Sequence, residues 1–425
     1  MKKIVKKLLT LIMALAMGMS LCLPVQASEM ELETTIFSPI VNLKAGKSFG
    51  AENYELLRTA LQNADGCHAL TVTIHKKGNY YVSSPGKALK LRSKTTLNLN
   101  GSTLIRSGGM GNLLQVETVD GLQSVAGYSC ARDVVVENGG LDGSGNLQPG
   151  SNLTNFGHVN GLTLRNLNFR HGQGTHLLEL NGCKNVMIDS CTFSEFDPAG
   201  KTTMPEAIQL DISYNGASST WNGVYCKAGT PGMDCTVCRN VTVKNCVFRN
   251  YPSGVGNHHG LKVYKNTKIR IINNRFENAK KWALAPAVNC CSFYDCVVSG
   301  NTIKGYYSAG ISISGGTVKV NNNVVGMKKN PVRCPAVLVN DCRPFVPGCA
   351  NTRVTERTTS GWILDNRVYT SCSYAFDIQG SSKLTCVKGN TVYTKKKMKK
   401  KEGIYKAGCG SKVGKSSGNK CVFIS

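Results

Sequence analysis

The chain carries a short pattern of apolar and polar residues that recurs along most of its length. From Cys67 onward apolar residues alternate with polar ones with a period of two, which is typical of β-strands. Three segments share one template, an apolar residue seven and five positions before a final apolar anchor: Asn185–Phe193 (NVMIDSCTF), Asn240–Phe248 (NVTVKNCVF) and Lys268–Phe276 (KIRIINNRF). The same spacing gives ten anchors: Leu104, Leu141, Phe169, Phe193, Phe248, Phe276, Ile303, Val325, Val368 and Val392.

The spacing of the anchors predicts the turns of a solenoid. The gaps are 37, 28, 24, 55, 28, 27, 22, 43 and 24 residues, and the long ones require an insertion or an irregular extra turn. Asparagine suits the corner after each strand because it tolerates left-handed backbone and can bond its neighbour in the next turn. The predicted corner ladder is Asn245, Asn274, Asn301, Asn323, Asn366 and Asn390. The prediction is an all-β fold, a single-stranded right-handed parallel β-helix.

The first part of the chain differs from the repeats. Four lysines, the apolar run Leu8–Val25 and small residues before Ser28 predict a signal peptide over residues 1–27. Residues 28–66 contain apolar residues at helical spacing in Glu52–Ala64, which predicts a capping helix for the open end of the solenoid. The β-helix is then expected over residues 67–425, with an inserted loop at 213–238 and a lysine-rich end at 388–425.

The leader predicts a secreted, extracellular protein, released or held at the cell surface. No later stretch is apolar for long enough to cross a bilayer, so no membrane span is expected. The net charge of +26 falls to +22 without the four leader lysines, since 47 basic residues then face 25 acidic ones. This balance favours an anionic partner, with polysaccharide ahead of nucleic acid, which is not expected for an exported chain without a nucleic-acid fold. The protein is expected to be a monomer.

Nineteen cysteines are many for this length, and export would permit disulfides. Cys235 and Cys238 form a CxxC pair with Cys226 upstream, for which a disulfide-pinned loop is favoured over a zinc site. Cys191 and Cys246 occupy equivalent repeat positions and are expected to stack as small buried residues. No other metal or cofactor is predicted.

A second strand is predicted after each corner of the solenoid. The aligned segments are His176–Asn181 (HLLELN), Glu206–Asp211 (EAIQLD), His259–Tyr264 (HGLKVY), Trp282–Ala287 (WALAPA) and Ala309–Ser314 (AGISIS). The alignment predicts an inward column of Leu178, Ile208, Leu261, Leu284 and Ile311. It predicts polar outward columns that contain Glu179, Gln209 and Lys262 in one and Asn181, Asp211 and Tyr264 in the other.

Two outward carboxylates give this surface its candidate chemistry. Glu179 and Asp211 lie one strand and two residues apart, a diagonal of roughly 8 Å from strand dimensions, which suits the acid and base of an inverting glycosidase. The candidate catalytic residues are Glu179, Asp211 and Glu206. The candidate substrate-binding residues are His176, Gln209, His258, His259, Lys262 and Trp282. Each also has a structural interpretation, as an exposed surface charge or a corner residue bonded to backbone.

The repeats and the segment Leu91–Ser107 (LRSKTTLNLNGSTLIRS) resemble the pectin-lyase-like superfamily. The superfamily includes polygalacturonase-type glycoside hydrolases and pectate lyases. His259-Gly260 matches the His-Gly of the polygalacturonase type, whereas Pro205 and His176 stand where that type has acids. The resemblance implies a protein that acts on polysaccharide, with a glycoside hydrolase first. A polysaccharide lyase, with Lys262 as base and calcium as cofactor, and a non-catalytic glycan-binding protein of the cell surface are the alternatives.

Overall fold

The computed structural model describes residues 37–121, 125–145, 150–200, 205–213, 234–257, 265–278, 285–306, 308–340, 359–380, 382–394, 404–408 and 410–424. All of them belong to one compact unit, Ile36–Ser425. The predicted signal peptide and most of the predicted inserted loop lie outside these ranges.

The described residues form 32 strands, and every pairing between them is parallel. Each coil of the chain contributes strands to three sheets, here called the first, second and third sheets. Within a coil the chain runs through the third sheet, then the first and then the second. Consecutive strands of one sheet are therefore one coil apart. The all-β solenoid predicted from the repeats is therefore confirmed.

The first sheet contains β1 (Ile40–Val41), β2 (Leu70–Ile74), β5 (Thr95–Asn98), β12 (Lys184–Asp189), β15 (Arg239–Lys244), β18 (Asn266–Ile272), β25 (Thr359–Leu364), β28 (Lys383–Lys388) and β31 (Lys412–Ser417). The second sheet contains β3 (Asn79–Ser83), β6 (Thr103–Ser107), β13 (Thr192–Asp197), β16 (Val247–Arg249), β19 (Arg275–Glu277), β21 (Thr302–Lys304), β23 (Val324–Val325), β26 (Arg367–Thr370), β29 (Thr391–Thr394) and β32 (Lys420–Phe423).

The third sheet contains β4 (Leu89–Leu91), β7 (Leu114–Val116), β9 (Thr154–Gly157), β11 (Leu178–Asn181), β14 (Glu206–Asp211), β17 (Ser253–Asn257), β24 (Val337–Asn340), β27 (Phe376–Ile378) and β30 (Tyr405–Ala407). Four long strands bend from one sheet into the next. The first and second sheets share β8 (Ala131–Asp142) and β10 (Val159–Gln173), and the third and first share β20 (Val288–Ser299) and β22 (Ile311–Asn321).

The ten predicted anchors form one column in the bore of the second sheet. Each pairs directly with the next, from Leu104 with Leu141 to Val368 with Val392. Within it the rings of Phe169, Phe193, Phe248 and Phe276 stack with centroids 4.7, 5.1 and 4.7 Å apart. Even the 55-residue gap between Phe193 and Phe248 is thus a single coil that contains an insertion.

A ladder of buried asparagines fixes the corner between the first and second sheets. The backbone N–H of Asn274 donates to Asn301 Oδ1 at 2.9 Å, and Asn301 Nδ2 donates to Ile271 O at 2.9 Å. Asn323, Asn366 and Asn390 repeat both bonds, and Asn419 extends the ladder. Every rung satisfies a backbone donor and a backbone acceptor of the preceding coil, as buried polar groups require.

Cysteine thiols continue this ladder toward the N-terminus. The prediction that Asn245 belongs to it is wrong, because Asn245 is the exposed left-handed residue beside the ladder position, which Cys246 occupies. The Cys246 thiol lies between Lys244 O of its own coil, at 3.1 Å, and Ile188 O of the preceding coil, at 3.7 Å. The Cys191 thiol lies in the same way between Asp189 O at 3.4 Å and Leu164 O at 3.5 Å. The two cysteines lie in register and buried, as expected.

A second, shorter ladder follows the corner between the third and first sheets. Asn266 Nδ2 donates to Leu210 O at 3.0 Å, and Cys238 Sγ and Cys183 Sγ donate to carbonyls of the preceding coil at 3.5 and 3.3 Å. Burial raises the pKa of the Cys183 thiol to about 12. The thiol therefore keeps its proton and acts as the donor.

The N-terminal helix α1 spans Gly50–Gln62, close to the prediction, and packs against β3 and β4. Tyr54, Leu57 and Leu61 are buried against the first coil, whereas Leu56 is 38% exposed. Asn53 Nδ2 donates to Tyr81 O at 3.0 Å, which ties the helix to β3. No helix among the described ranges is long and apolar enough to cross a membrane.

We expect Cys246→Ala to lower the free energy of unfolding by about 1 kcal/mol, because the carbonyls of Lys244 and Ile188 lose the thiol that lies between them. Cys246→Asn should lose less, since asparagine makes the same bond in later coils. Denaturant midpoints of both variants would test this, with Cys421→Ala, a partly exposed cysteine, as the control. Equal losses for the alanine and asparagine variants would contradict the donor role.

Asp142 should make the fold sensitive to acid. Its buried carboxylate accepts from Arg170 Nε at 2.8 Å, His171 Nδ1 at 2.7 Å and Ser144 N at 2.8 Å. Burial opposes the charged form, but these bonds outweigh it and lower the pKa of Asp142 to about 2. The stabilisation is complete above the unfolded-state pKa near 4 and is lost as the pH falls through 2.

Between pH 5 and pH 2 the wild type should lose about 2 kcal/mol more stability than Asp142→Asn, which has no carboxylate to protonate. Unfolding midpoints at both pH values would measure the difference. Asp365→Asn, at an exposed position, should follow the wild type; a parallel loss in all three proteins would rule out this role for Asp142.

Candidate functional site

The outer face of the third sheet carries one continuous column of mainly polar residues, here called the polar column. Its members, one per coil, are Lys90, Gln115, Asn155, Glu179, Gln209, Gly256, Asn289, Ser312, Leu338, Asp377 and Lys406. They alternate with the bore residues of the same strands, such as Leu178 and Leu180. Because parallel coils lie roughly 4.8 Å apart, the column is an evenly spaced row of side chains.

The structure confirms the predicted register at the centre of the column. Glu179 pairs with Gln209 and Asn181 with Asp211, so the two carboxylates lie on a diagonal. The four residues Glu179, Asn181, Gln209 and Asp211 are here called the acid–amide block.

The predicted alignment of the next two coils is wrong. Ser253–Asn257, and not His259–Tyr264, is the strand that follows Glu206–Asp211, with Val255 beside Ile208 and Gly256 beside Gln209. In the coil after that, Val288 and Asn289 take the places predicted for Leu284 and Ala285. The glycine-rich SGVGN lacks the strong alternation of apolar and polar residues that HGLKVY shows. At one of its positions glycine is required by packing, because a side chain at Gly254 would overlap the ring of Phe276.

Four predicted substrate-binding residues, His258, His259, Lys262 and Trp282, lie outside the described residues, as do Cys226 and Tyr264. His176 and Glu206 do stack in successive coils, but the third position of that stack is Ser253.

In the acid–amide block each carboxylate is held by amide donors. Asn181 Nδ2 donates to Glu179 Oε1 at 2.8 Å, and Asn152 Nδ2 donates to Glu179 Oε2. Gln209 Nε2 donates to Asp211 Oδ2 at 2.8 Å, and the backbone N–H of Ile212 donates to Oδ1 at 2.9 Å. The amides occupy the other diagonal and so separate the two negative charges.

The block is buried, which the alternation of the strands alone did not indicate. Glu179 and Gln209 are 3% exposed, and Asn181 and Asp211 are 0% exposed. Asn181 Oδ1 has no hydrogen-bond partner in the part of the chain that the structure describes, so a buried acceptor beside both carboxylates is left unsatisfied there. Such a group is exceptional in folded proteins and suits the binding of a hydroxyl.

Glu206 reaches across the third sheet beside the block. Its Oε1 accepts from Asn289 Nδ2, two coils away, at 3.1 Å. The intervening residue is Gly256, where a Cβ would lie 3.0 Å from Glu206 Cγ and 2.8 Å from Asn289 O. The missing side chain therefore makes room for the carboxylate.

His176 supports Glu206 from the preceding coil. Its Nδ1 lies 2.7 Å from Glu206 O and 3.9 Å from Glu206 Oε2. A carbonyl only accepts, so Nδ1 carries a proton. Burial and the negative charge of Glu206 also raise the pKa of Tyr251 well above its usual value.

A buried histidine–serine pair lies at the end of the same strands. His158 Nδ1 donates to Gly127 O at 2.6 Å, which leaves Nε2 as the acceptor for the Ser213 hydroxyl at 2.8 Å. His158 has a left-handed backbone with φ of 57°. The pair ties Ser213, at the start of the inserted segment, to a residue two coils away.

The sequence interpretation missed Asn152, Asn289, His158 and Ser213. One signal could have found the first: Ser151–Gly157 (SNLTNFG) fits the strand template one coil before His176–Asn181. Asn289 would have followed from aligning Val288 with Ile311. The His158–Ser213 pair has no sequence signal, because it joins residues 55 positions apart at a corner.

Within the described part of the chain no group of three or more His, Cys, Asp or Glu side chains could hold a metal ion. What the arrangement offers instead is two buried carboxylates on a diagonal, a third carboxylate backed by an imidazole, and several amides. These groups can bind sugar hydroxyls and transfer protons.

Comparisons with known proteins agree with the architecture. Residues 141–331 match a family described as the right handed beta helix region. The chain is 25% identical over 238 residues to plasmin and fibronectin-binding protein A of Streptococcus pneumoniae strain R6. That match covers 50% of this chain but only 31% of the length of the relative.

Two solved structures resemble the whole solenoid. The surface adhesin PfbA of Streptococcus pneumoniae superposes with a TM-score of 0.59 and 16% identity, over 87% of this chain and 86% of that one. A family 28 exopolygalacturonase of Yersinia enterocolitica gives a TM-score of 0.54 and 13% identity, over 91% and 78%. At these identities the likeness concerns the fold.

We expect Gly256→Ala to lower stability by about 1–3 kcal/mol, because the added Cβ would press on the backbone of Asn289. It should also displace the Glu206 carboxylate from Asn289, which a crystal structure of the variant would reveal. Gly408→Ala, where a Cβ meets nothing within 4 Å, is the matched control. An undisturbed Glu206–Asn289 bond in the alanine variant would show that Gly256 is not needed for it.

Proposed function

We propose that this right-handed parallel β-helix is an extracellular glycoside hydrolase acting on a polysaccharide along the polar column. The observation that carries the proposal is the acid–amide block. Two carboxylates from consecutive coils lie on its diagonal, at the centre of a polar row that suits a linear polymer.

The diagonal favours hydrolysis with inversion. Strand dimensions put the two positions roughly 8 Å apart, within the 6.5–9.5 Å range that leaves room for an attacking water. Glu179 and Asp211 would serve as the general acid and the general base, in either order. Their amide donors hold both carboxylates in fixed orientations.

Glu206, His176 and Gln209 are proposed to bind the sugar beside the acids. The Glu206 carboxylate is anchored at one oxygen by Asn289, and His176 borders the other. Asn181 Oδ1, which has no partner, would accept from a sugar hydroxyl. His258, His259, Lys262 and Trp282 stay in the proposal as substrate-binding residues on their sequence positions alone.

Two structural neighbours support a function on polysaccharide at the cell surface. One structural neighbour is an exopolygalacturonase and another is a surface adhesin. Together with the positive charge of the chain, this favours an anionic polysaccharide outside the cell. Signal-peptide cleavage after Ala27 and a monomeric state belong to the same proposal.

A second candidate function is non-catalytic adhesion through the last coils. Their outer faces carry Lys383, Lys388, Lys412, Lys415 and Lys420, and the described part of residues 359–424 contains only two acids, Asp365 and Asp377. Such a surface would attract an anionic wall polymer without turnover.

Incubation with polygalacturonate and other polysaccharides should release reducing ends. Glu179→Gln and Asp211→Asn should each lower the rate by about 10²–10⁴-fold, because each removes a proton-transfer group and keeps the shape of the side chain. Asp120→Asn, at an exposed position, is the control. Reducing ends that appear together with an unsaturated uronate at each new non-reducing end, with no water added across the broken bond, would instead identify a lyase.

The same variants separate hydrolysis from adhesion. Polymer binding without turnover that survives Glu179→Gln with Asp211→Asn, but fails after Lys412, Lys415 and Lys420 are changed to Gln, would support the second candidate and contradict the first.

A further inference from the structure

The polar column continues far beyond the acid–amide block. From Gln209 it passes Gly256, Asn289, Ser312 and Leu338 to Asp377, with each residue paired directly to the next. Those five steps of roughly 4.8 Å place Asp377 about 24 Å from Gln209 along the same wall.

Four side chains come together at this far end. Asp377 Oδ2 accepts from Gln379 Nε2 at 2.8 Å and from the Tyr374 hydroxyl at 3.4 Å. Lys406 pairs with Asp377 in the next coil, and its ammonium lies 5.7 Å from the centroid of the Tyr374 ring. The group thus combines an aromatic ring, a carboxylate and a cation.

One oxygen of the Asp377 carboxylate accepts no hydrogen bond from the described residues. The residue is 6% exposed, and among the described residues its Oδ1 has no hydrogen-bond partner. A buried carboxylate oxygen without a donor is destabilising, which is why such oxygens tend to occur where a ligand supplies the bond. Burial and the charge of Asp377 raise the pKa of Tyr374, so its hydroxyl stays a donor.

We propose that Tyr374, Asp377 and Lys406 form a distal subsite for a uronic acid residue of the polysaccharide whose other end occupies the acid–amide block. The inference rests on the proposed function, since it assumes a polymer on the polar column. The partly exposed Tyr374 ring would stack on the pyranose, Lys406 would pair with the sugar carboxylate, and Asp377 would accept from a hydroxyl.

The chemistry selects an acidic sugar rather than a neutral one. A neutral pyranose could stack on Tyr374 and donate to Asp377 but would form no ion pair with the ammonium of Lys406. The spacing also favours a polymer, because an extended glycan repeats about every 5 Å, close to the coil spacing of roughly 4.8 Å. A chain of about six residues would therefore reach from the block to the subsite.

The test is the affinity of oligogalacturonides of increasing length, measured by calorimetry on the full chain carrying Glu179→Gln so that the ligand is not consumed. Affinity should rise about tenfold, equivalent to about 1.4 kcal/mol, between four and seven residues. Tyr374→Ala and Lys406→Gln should each remove this step and leave the short oligomers unchanged. Lys319→Gln, an exposed lysine on the first sheet outside the last coils, should retain the step.

The outcomes separate the subsite from the proposed function. Short oligomers that bind without a step, or a step that survives both variants, would overturn the subsite and leave the function standing. No binding at any length, with oligomannuronates and hyaluronan oligosaccharides tried as further uronates, would overturn both. Equal steps for uncharged cello-oligosaccharides would overturn the choice of an acidic sugar.

Discussion

The register between successive coils is the constraint on which the rest of the molecule depends. Side chains from distant parts of the sequence become neighbours only because each coil lies directly over the last. Two interactions maintain that order: stacked rings in the bore, such as Phe193 on Phe248, and amide or thiol side chains that bond the coil before them. Both interactions are made by buried groups and do not depend on the ligand that the outer wall binds. The scaffold and the surface chemistry are therefore separable.

The repeat made the bore predictable, because its positions obey a strict pattern. Every anchor from Leu104 to Val392 occupies the predicted column, because an apolar residue at that spacing points into the bore. The exceptions have physical causes. Cys246 replaced an asparagine in the ladder because a protonated thiol can also donate, and Ser253–Asn257 escaped notice because its glycines accommodate neighbouring rings and carboxylates instead of contributing apolar side chains.

The candidate site was predictable only in part. The diagonal of Glu179 and Asp211 followed from the alignment of two strands, and the structure has it. Their burial did not follow, because alternation within a strand says which way a side chain points but not what lies over it. Asn152 and Asn289 were missed for a related reason: each reaches the acids from a different coil, and such contacts depend on side-chain length and on the room left by Gly256.

The coil between Phe193 and Phe248 is about twice as long as its neighbours, yet its rings still stack, with centroids 5.1 Å apart against 4.7 Å in the adjacent coils. The extra residues therefore enter and leave the solenoid at one corner, next to Asp211 and Cys238, without changing the pitch. A corner of this kind lets evolution exchange one surface segment for another of different size while the fold is inherited intact. New ligand preferences could thus arise in related proteins by replacing that segment alone, with the strands that carry the acids unchanged.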